Sequence, residues 1–467
     1  MNYPFWDVPV IGSTWVIGLI AIYHVMISHF AVGGGLYLAL AEHKALKENR
    51  RDWLPILEKH SKFFLILTGV FGAVSGVGIW FAIGLAHPEA TSTLIHNFVF
   101  GWAIEWVFFI VELTAAAVYY YTWRRIDDKT HLTVGYIYAG ASILTLVIIN
   151  GILTFMLTPG QTWLSVAGTG QEASKFWYAF FNPTYWPSLL LRVLVCTSLA
   201  GVWALVTLSR LQAPQFERTK VTLIRWSASW LIPAFLLMPV CMLWFMANVP
   251  ASNRGLLQLG MSTIGSGAFT QITRIVLLSV MTTFTISAVV YFFAYKSPRD
   301  FAIGHAVSVL GLALAATAST EYAREALRKP YVIGQHMYSN GIRVSEIEKF
   351  NREGYLAQSV WGQKARADGD SLKIGEAMYR GQCMNCHTND GYRSMRRLLA
   401  DRNTEAIASL LTMLHEPKPD SPYARYMPPL VGTPEEVNGL AEYLATLAAP
   451  SPDHSSKPVV SASVTAH

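Results

Sequence analysis

Charged residues are scarce in this sequence. Only 14% of its 467 residues are charged, whereas 52% are hydrophobic and four are cysteines. A soluble globular protein carries about 25% charged residues. The deficit is uneven, because long uncharged apolar runs fill the chain up to about residue 322 and almost none follow. These shortages exclude an ordinary soluble domain for the first two thirds of the chain.

The apolar runs are long enough to cross a membrane. A helix needs roughly 20 apolar residues to span a bilayer. One such run is compatible with a buried soluble helix, but a series of them is not. We therefore predict an all-α polytopic membrane bundle over residues 1–322, with a C-terminal all-α domain. The predicted spans are 15–41, 61–86, 95–123, 132–157, 187–209, 222–246, 269–294 and 301–322.

Basic residues mark alternate connections between these runs. No Lys or Arg occurs in 87–96, and the other loops on that side hold only Lys175 and Arg254. Basic loops stay cytoplasmic, so both termini are predicted on the periplasmic side of a bacterial inner membrane. The net charge of +6 then reflects topology and gives no nucleic-acid signal. The basic side carries Lys44, Lys47, Arg50, Arg51, Lys59, Arg124, Arg125, Lys129, Arg210, Arg218, Lys220, Lys296 and Arg299.

The polar C-terminal part contains the sequence Cys383-Met384-Asn385-Cys386-His387. Cys-x-x-Cys-His is the attachment motif of a covalent c-type haem, in which both thiols bond the haem and the imidazole ligates iron. The alternatives are a disulfide or a zinc site, although zinc needs a second ligand pair and no further cysteine follows. Cys196 and Cys241 lie inside apolar runs and are read as packing residues.

The residues around this motif have the order of a small haem domain. Met427 is followed by two prolines, so it lies in an extended segment from which its thioether can reach the iron. His415 is the rival sixth ligand. Thr433-Pro434-Glu435-Glu436 has the pattern of a capping box that opens a last helix. Residues 370–449 resemble a class I cytochrome c, with 323–369 as a linker and 450–467 as a Ser/Pro-rich disordered tail.

Ionisable residues inside the apolar runs cost free energy in a membrane, so each of them is a candidate functional residue. His24 and His29 share the first run, and five residues at 3.6 per turn separate them by roughly 140°. We therefore expect at most one of them to ligate a given haem. Gly33, Gly34 and Gly35 follow, and they allow either a flat macrocycle or a neighbouring helix to lie close. The full set is His24, His29, Glu105, Glu112, Arg192, Arg274, His305 and Glu321.

Carboxylates occur in the third and eighth runs. Glu105 and Glu112 are seven residues apart, which places both on one face of a helix. They suit a proton path or haem ligation, or they are protonated structural groups. Glu321 ends the eighth run three residues before Arg324, a spacing that also fits an ordinary helix-surface ion pair.

These residues together resemble subunit I of the cytochrome bd quinol oxidase family across about 1–335. His29 is similar to the family's first-helix haem ligand, Glu105 and Glu112 to its paired third-helix glutamates, and Glu321 to the glutamate that binds a high-spin haem. The resemblance implies haem b, haem d or both in the membrane, quinol as electron donor, O2 as acceptor and a homologous second subunit.

The chain also departs from that family. The family's low-spin b haem uses a His on the fifth span and a Met on the seventh. At these positions this chain has Cys196 and Val276. Arg274, two residues before Val276, matches the family's seventh-span motif and is a cofactor-binding candidate. The quinol-binding loop is short, at 247–268, and a fused cytochrome c is unusual for subunit I. These departures suggest that the c haem is the electron port.

The resulting hypothesis is a bd-like respiratory oxidoreductase that passes electrons between a periplasmic c haem and one or two membrane haems and reduces O2. A periplasmic c-type cytochrome is the expected redox partner. One alternative runs electrons from quinol through b haems to periplasmic cytochromes without O2 chemistry. The other is a non-catalytic electron-wiring subunit of a larger membrane complex.

Overall fold

The structure is a computed structural model of the chain, and it describes residues 4–211, 217–254, 269–400, 402–416, 421 and 423–448. The tail predicted as disordered at 450–467 and residues 255–268 of the short loop lie outside these residues.

Eight helical spans in the described residues are long and apolar enough to cross a membrane. They confirm the predicted all-α membrane bundle. We number them in chain order as the first to eighth span: Ser13–Lys47, Arg51–Ala86, Pro88–Tyr121, Asp128–Phe155, Tyr185–Ser209, Glu217–Asn248, Arg274–Lys296 and Ile303–Leu327.

Four of the spans are interrupted or composite, and the third of these eight spans is kinked at Phe98. The second begins with the 3-10 turn Arg51–Trp53 and joins the helices Leu54–Ile66 and Ala73–Ala86 through the π-helical segment Leu67–Gly72. The sixth consists of two helices, Glu217–Ser229 and Ile232–Asn248. The seventh lies in the helix Phe269–Val289 and continues as the π-helical segment Val290–Lys296.

Local sequence signals explain where several helices begin. Asp127 caps the fourth span by accepting the amide of Thr130 at 3.0 Å. Thr433 and Glu436 form the predicted capping box, since each side chain accepts the backbone N–H of the other residue. The last tail helix therefore starts at Pro434, as the sequence pattern predicts.

Short elements connect the spans and build the C-terminal part. The only strands in the described residues, Tyr331–Ile333 and Met337–Tyr338, pair as an antiparallel hairpin. The remaining helices are Gln161–Leu164, Phe176–Phe180, Ile347–Glu353, Gln363–Asp368, Ser371–Gln382, Met395–Leu399, Thr404–His415 and Pro434–Ala448. Short 3-10 turns occur at Glu172–Lys175, Val344–Glu346, Leu356–Gln358 and Tyr423–Arg425.

The chain forms two compact units. The membrane unit comprises Ile17–Gly84 and Glu89–Gly341. The tail unit comprises the described residues of Met1–Val16, Leu85–Pro88 and Ile342–His467. Each unit has its own apolar core, and the tail core includes Tyr355, Met378 and Leu440, all buried.

Two helices of the tail unit, Ser371–Gln382 and Pro434–Ala448, cross in direct backbone contact. A Cβ on Gly375 would overlap the carbonyl of Gly439, so only glycine permits this approach. Glu436 then bonds the backbone amides of Tyr355 and Leu356 at 2.8 and 2.9 Å. These contacts fix the framework from which the Cys383 to His387 motif projects.

Candidate functional site

The Cys-x-x-Cys-His motif forms a tight turn at the end of the helix Ser371–Gln382. The helix ends at Gln382, and the amides of Cys386 and His387 both bond the carbonyl of Cys383 at 3.0 Å. Both cysteines are free thiols. Burial, with a smaller contribution from Cys386, raises the pKa of the Cys383 thiol to about 12. Two thiols and an imidazole are thus held within five residues.

The His387 ring is oriented by one hydrogen bond. Its Nδ1 lies 3.0 Å from the carbonyl of Arg393, to which it donates. Burial lowers the pKa of the imidazole, which favours its neutral form. A histidine that ligates a metal through one nitrogen usually donates the other N–H to an oxygen acceptor. The ring nitrogen of His387 that remains available is therefore Nε2.

The N-terminal residues of the tail unit brace this turn. The Tyr392 amide bonds the carbonyl of Val10 at 2.8 Å, and the Thr14 hydroxyl bonds Asn385. The rings of Trp15 and Tyr392 meet edge to face with centroids 5.7 Å apart.

Met427 lies in a bend that its neighbours hold firmly. Its amide bonds the carbonyl of Tyr423 at 2.8 Å. Gln382 clamps the following segment, because its side-chain amide bonds the carbonyl of Val431 at 2.7 Å and accepts the Val431 amide at 3.0 Å. The side chain of Met427 is half-buried. The segment that carries Met427 is therefore tied to the end of the helix that precedes Cys383.

The rival ligand His415 makes the same kind of hydrogen bond as His387. It ends the helix Thr404–His415, and its Nδ1 lies 3.1 Å from the carbonyl of Leu430.

The rival zinc reading gains no support, because no group of three or more His, Cys, Asp or Glu side chains suited to a metal ion occurs in the described part of the chain.

The tail unit fits a c-type haem. Two free thiols, an oriented imidazole and a half-buried thioether are the donors that this group needs. In addition, the Tyr379 hydroxyl and the Trp361 indole N–H are buried without a hydrogen-bond partner among the described residues. Buried polar atoms normally have partners, and the carboxylates of a haem would supply them.

In the membrane unit, His29 and Glu321 lie in one buried cluster. His29 is only 5% exposed, and its Nδ1 lies 2.6 Å from the carbonyl of Val25, which leaves Nε2 as the available atom. Glu321 accepts a hydrogen bond from Arg324 at 2.9 Å, the ion pair that the helical spacing predicts. Arg192 of the fifth span lies 3.7 Å from the same carboxylate.

Arg192 is the member of this cluster to which sequence reasoning gave no role. Its Nε is buried and has no hydrogen-bond partner among the described residues. Two guanidinium groups face one carboxylate, which leaves a positive charge that burial makes costly unless an anion balances it. Haem carries two carboxylates, so the charge of the cluster fits this group. The sequence signal that could have identified this role is the position of an arginine inside an apolar run.

The other predicted site residues lie elsewhere. His24 is half-buried, and its Nδ1 lies 2.9 Å from the hydroxyl of Ser75 in the second span. It therefore has different neighbours from His29, as the 140° separation predicts. Arg274 is exposed at the start of the seventh span, and no described contact joins it to Glu321.

Glu105 and Glu112 lie two turns apart on the third span. Glu112 is 3% exposed and lies beside the hydroxyl of Ser142 on the fourth span. Glu105 is only partly covered by this chain. The predicted pair thus divides into an interior carboxyl and a carboxyl nearer the bundle surface.

The glycines after His29 contact neighbouring spans. A Cβ on Gly33 would overlap the carbonyl of Cys196, and one on Gly34 would overlap the ring of Phe64. Cys196 is 1% exposed. The first and fifth spans are therefore in backbone contact at the position where the family resemblance expects a haem-binding histidine, and Cys196 acts as a packing residue there.

Residues 13–246 match the family model described as cytochrome bd terminal oxidase subunit I. The fold is similar to the structure of bd oxidase from Geobacillus thermodenitrificans, with a TM-score of 0.60 and 15% sequence identity, covering 70% of this chain and 89% of that chain. No protein of curated function matches the chain.

The family match covers half of the sequence, including the first six spans with His24, His29, Glu105, Glu112 and Arg192. Membership implies electron transport in the membrane with haem of the b or d type. The chain therefore belongs to the cytochrome bd terminal oxidase subunit I family and is a multi-pass membrane respiratory oxidoreductase.

Proposed function

We propose that this chain passes electrons between a covalent c haem in the tail unit and b- or d-type haem in the membrane unit, and that the membrane haem reduces O2. The observation that carries the proposal is the coexistence of two donor sets in one chain. One set is Cys383, Cys386, His387 and Met427, and the other is centred on His29 and Glu321. When bound, the two groups supply one-electron transfer and, at an open iron position, O2 chemistry.

In the tail unit, the residues hold and orient the cofactor. The Cys383 and Cys386 thiols would form its two covalent bonds. His387 would ligate through Nε2, because Nδ1–H is engaged by the Arg393 carbonyl 3.0 Å away. Met427 would provide a further iron ligand from a segment fixed by Gln382. His/Met ligation raises the potential of such a haem.

In the membrane unit, His29 and Glu321 are the proposed iron ligands. Arg192 and Arg324 both form ion pairs with Glu321, whose side chain is mostly buried. The free Nε of Arg192 is a donor for a haem carboxylate. Glu112 and Glu105 are the proposed proton carriers, since stacked carboxyls inside a membrane suit proton transfer.

The tail haem is the proposed electron port. Cys196 and Val276 stand where the family's low-spin haem has its ligands, and Gly33 packs directly against the Cys196 backbone. The electron donor would then be a periplasmic c-type cytochrome rather than quinol, with both termini on the periplasmic side. Basic loops on the opposite side support this orientation.

A second subunit is part of the proposal. Glu105 is partly uncovered on the third span, where Phe100 and Trp106 are 75% and 62% exposed. A carboxyl facing lipid is costly, whereas a neighbouring membrane subunit would cover it.

A CO-difference spectrum of the reduced, purified complex tests the O2 chemistry. A CO-reactive high-spin haem is expected. A purely low-spin, CO-silent haem set would overturn the oxidase proposal and favour electron transfer without O2. Pyridine haemochrome analysis should give one haem c per chain together with haem b or d. A chain without haem c would remove the electron-port proposal.

A further inference from the structure

Three buried polar side chains form a closed cluster near one end of the membrane unit. Glu42 accepts a hydrogen bond from the Tyr119 hydroxyl at 2.7 Å, and its other oxygen lies 2.7 Å from His131 Nδ1. The second ring nitrogen of His131 lies 2.9 Å from the Tyr119 carbonyl. All three side chains are at most 3% exposed. We call these residues the Glu42 cluster.

The cluster lies close to the basic loops. Glu42 is about one turn before the end of the first span at Lys47, and Tyr119 is two residues before the end of the third. His131 is in the first turn of the fourth span, which starts at Asp128. The connections here are the basic ones, which the charge pattern assigns to the cytoplasm.

Glu112 lies on the same face of the third span as Tyr119. Seven residues separate them, so Glu112 is two turns, or about 10 Å, further into the membrane. Both residues are buried, together with Ala115 and Ala116 between them. The Glu42 cluster and Glu112 thus face the same interior region at two depths.

Hydroxyl groups lie between these two depths. Tyr138 of the fourth span is two turns beyond His131, and Ser142 follows one turn later beside Glu112. Thr68 belongs to the π-helical segment of the second span and lies beside Tyr138. Segments of π-helix frequently occur at functional sites.

None of these three hydroxyls has a hydrogen-bond partner of good geometry among the described residues, although Thr68, Tyr138 and Ser142 are at most 3% exposed. Buried polar atoms are normally satisfied, often by internal water. Each hydroxyl can donate and accept, which is the property that proton transfer along a hydrogen-bonded chain requires. Gly35 faces Tyr138 and Ser142, so the first span adds no side chain there.

We propose that the Glu42 cluster is the cytoplasmic entrance of the proton path to Glu112. His131 and Glu42 together hold one exchangeable proton as imidazolium beside carboxylate, and its release leaves neutral imidazole beside carboxylate. Tyr119, Tyr138 and ordered water pass it to Glu112, and no electron moves in this step. This inference rests on the proposed role of Glu112 as a proton carrier.

A measurement of proton uptake distinguishes this proposed role from a purely structural role of the Glu42 cluster. Chemical reduction of the membrane haem in the intact complex draws protons from the medium, and a pH-indicator dye in unbuffered solution follows their uptake by stopped flow. This measurement does not depend on O2 reduction. It therefore remains informative if the oxidase proposal fails.

Glu42→Gln and His131→Gln keep hydrogen-bonding capacity but remove the proton carrier. Each is expected to slow proton uptake at least tenfold while the haem content and spectra stay unchanged, and Glu42→Asp should recover part of the rate. The matched control is His60→Gln. His60 is also a buried histidine near the basic loops, but its Nε2 bonds Thr207, outside this chain of groups.

Wild-type uptake rates in Glu42→Gln and His131→Gln would overturn the proposal. An equal slowing in His60→Gln would also overturn it, because the effect would then be general. If Glu42→Gln loses its haem, the variants Tyr119→Phe and Tyr138→Phe test the proposal instead, since each removes a single hydroxyl. Slowed uptake in both supports the path, whereas wild-type rates in both exclude it.

Discussion

The guanidinium of Arg192 lies 3.7 Å from the carboxylate of Glu321, and this contact joins the fifth and eighth spans. Both side chains are mostly buried, at 9% and 12% exposure. Arg324 already bonds Glu321 at 2.9 Å, so Arg192 supplies a second cation to one anion. Arg192, Arg324 and Glu321 therefore carry a net charge of +1 when His29 is neutral.

Removal of Arg192 is expected to lower the midpoint potential of the membrane haem. A nearby cation favours the reduced iron, and one charge about 8 Å away contributes about 2 kcal/mol at an effective dielectric constant of ~20. That energy corresponds to roughly 90 mV for a one-electron couple. Redox titration of the b- or d-haem absorbance in Arg192→Leu measures the shift, and Arg192→Lys is the charge-conserving control. An unchanged potential at full haem content would exclude Arg192 from the haem environment.

His29→Ala is expected to lose membrane haem while it keeps the c haem. The His29 ring is buried beside Arg192 and Glu321, whereas His24 bonds Ser75 in the second span. Haemochrome analysis of both alanine variants separates the two candidates. Normal b- or d-haem content in His29→Ala, with a loss in His24→Ala instead, would transfer the ligand role to His24.

The eight spans were predictable because hydropathy alone decides whether a segment enters a membrane. The helix that opens at Pro434 was also predictable, since its capping box is a local signal. Interior contacts between spans had no such signal. Arg192 and Glu321 are 129 positions apart in sequence, and nothing in either segment specifies that they meet.

Gly33 illustrates a choice that the sequence left open. The run of glycines predicted a close approach by either a haem or a helix. The structure places the Cys196 backbone against Gly33, and this outcome depends on which spans are neighbours. The Glu42 cluster was missed for the same reason, because its three residues come from three different spans.

Met427→Ala is expected to abolish the weak near-infrared band of a Met–iron bond and to lower the potential of the c haem, because a thioether ligand raises it. The backbone around Met427 is fixed by Gln382 and Tyr423, so the change should stay local. Near-infrared absorption of the oxidised complex measures the band. His415→Ala is the matched control and should keep it. A wild-type protein without the band would favour His415 as the ligand.

Gly33→Ala is expected to destabilise the membrane unit, whereas Gly311→Ala is not. Both glycines lie inside spans, but a Cβ at Gly33 would overlap the Cys196 carbonyl, while nothing lies within 4 Å of a Cβ at Gly311. Overpacking against a rigid neighbour costs about 1–3 kcal/mol, which outweighs the gain of about 1 kcal/mol that alanine brings to a helix. At Gly311 only the gain remains. Unfolding of the detergent-solubilised protein, followed by circular dichroism, should rank Gly33→Ala below the wild type and Gly311→Ala at or above it. Equal stability of the two variants would show that the first and fifth spans are not packed as tightly as the Gly33 to Cys196 contact requires.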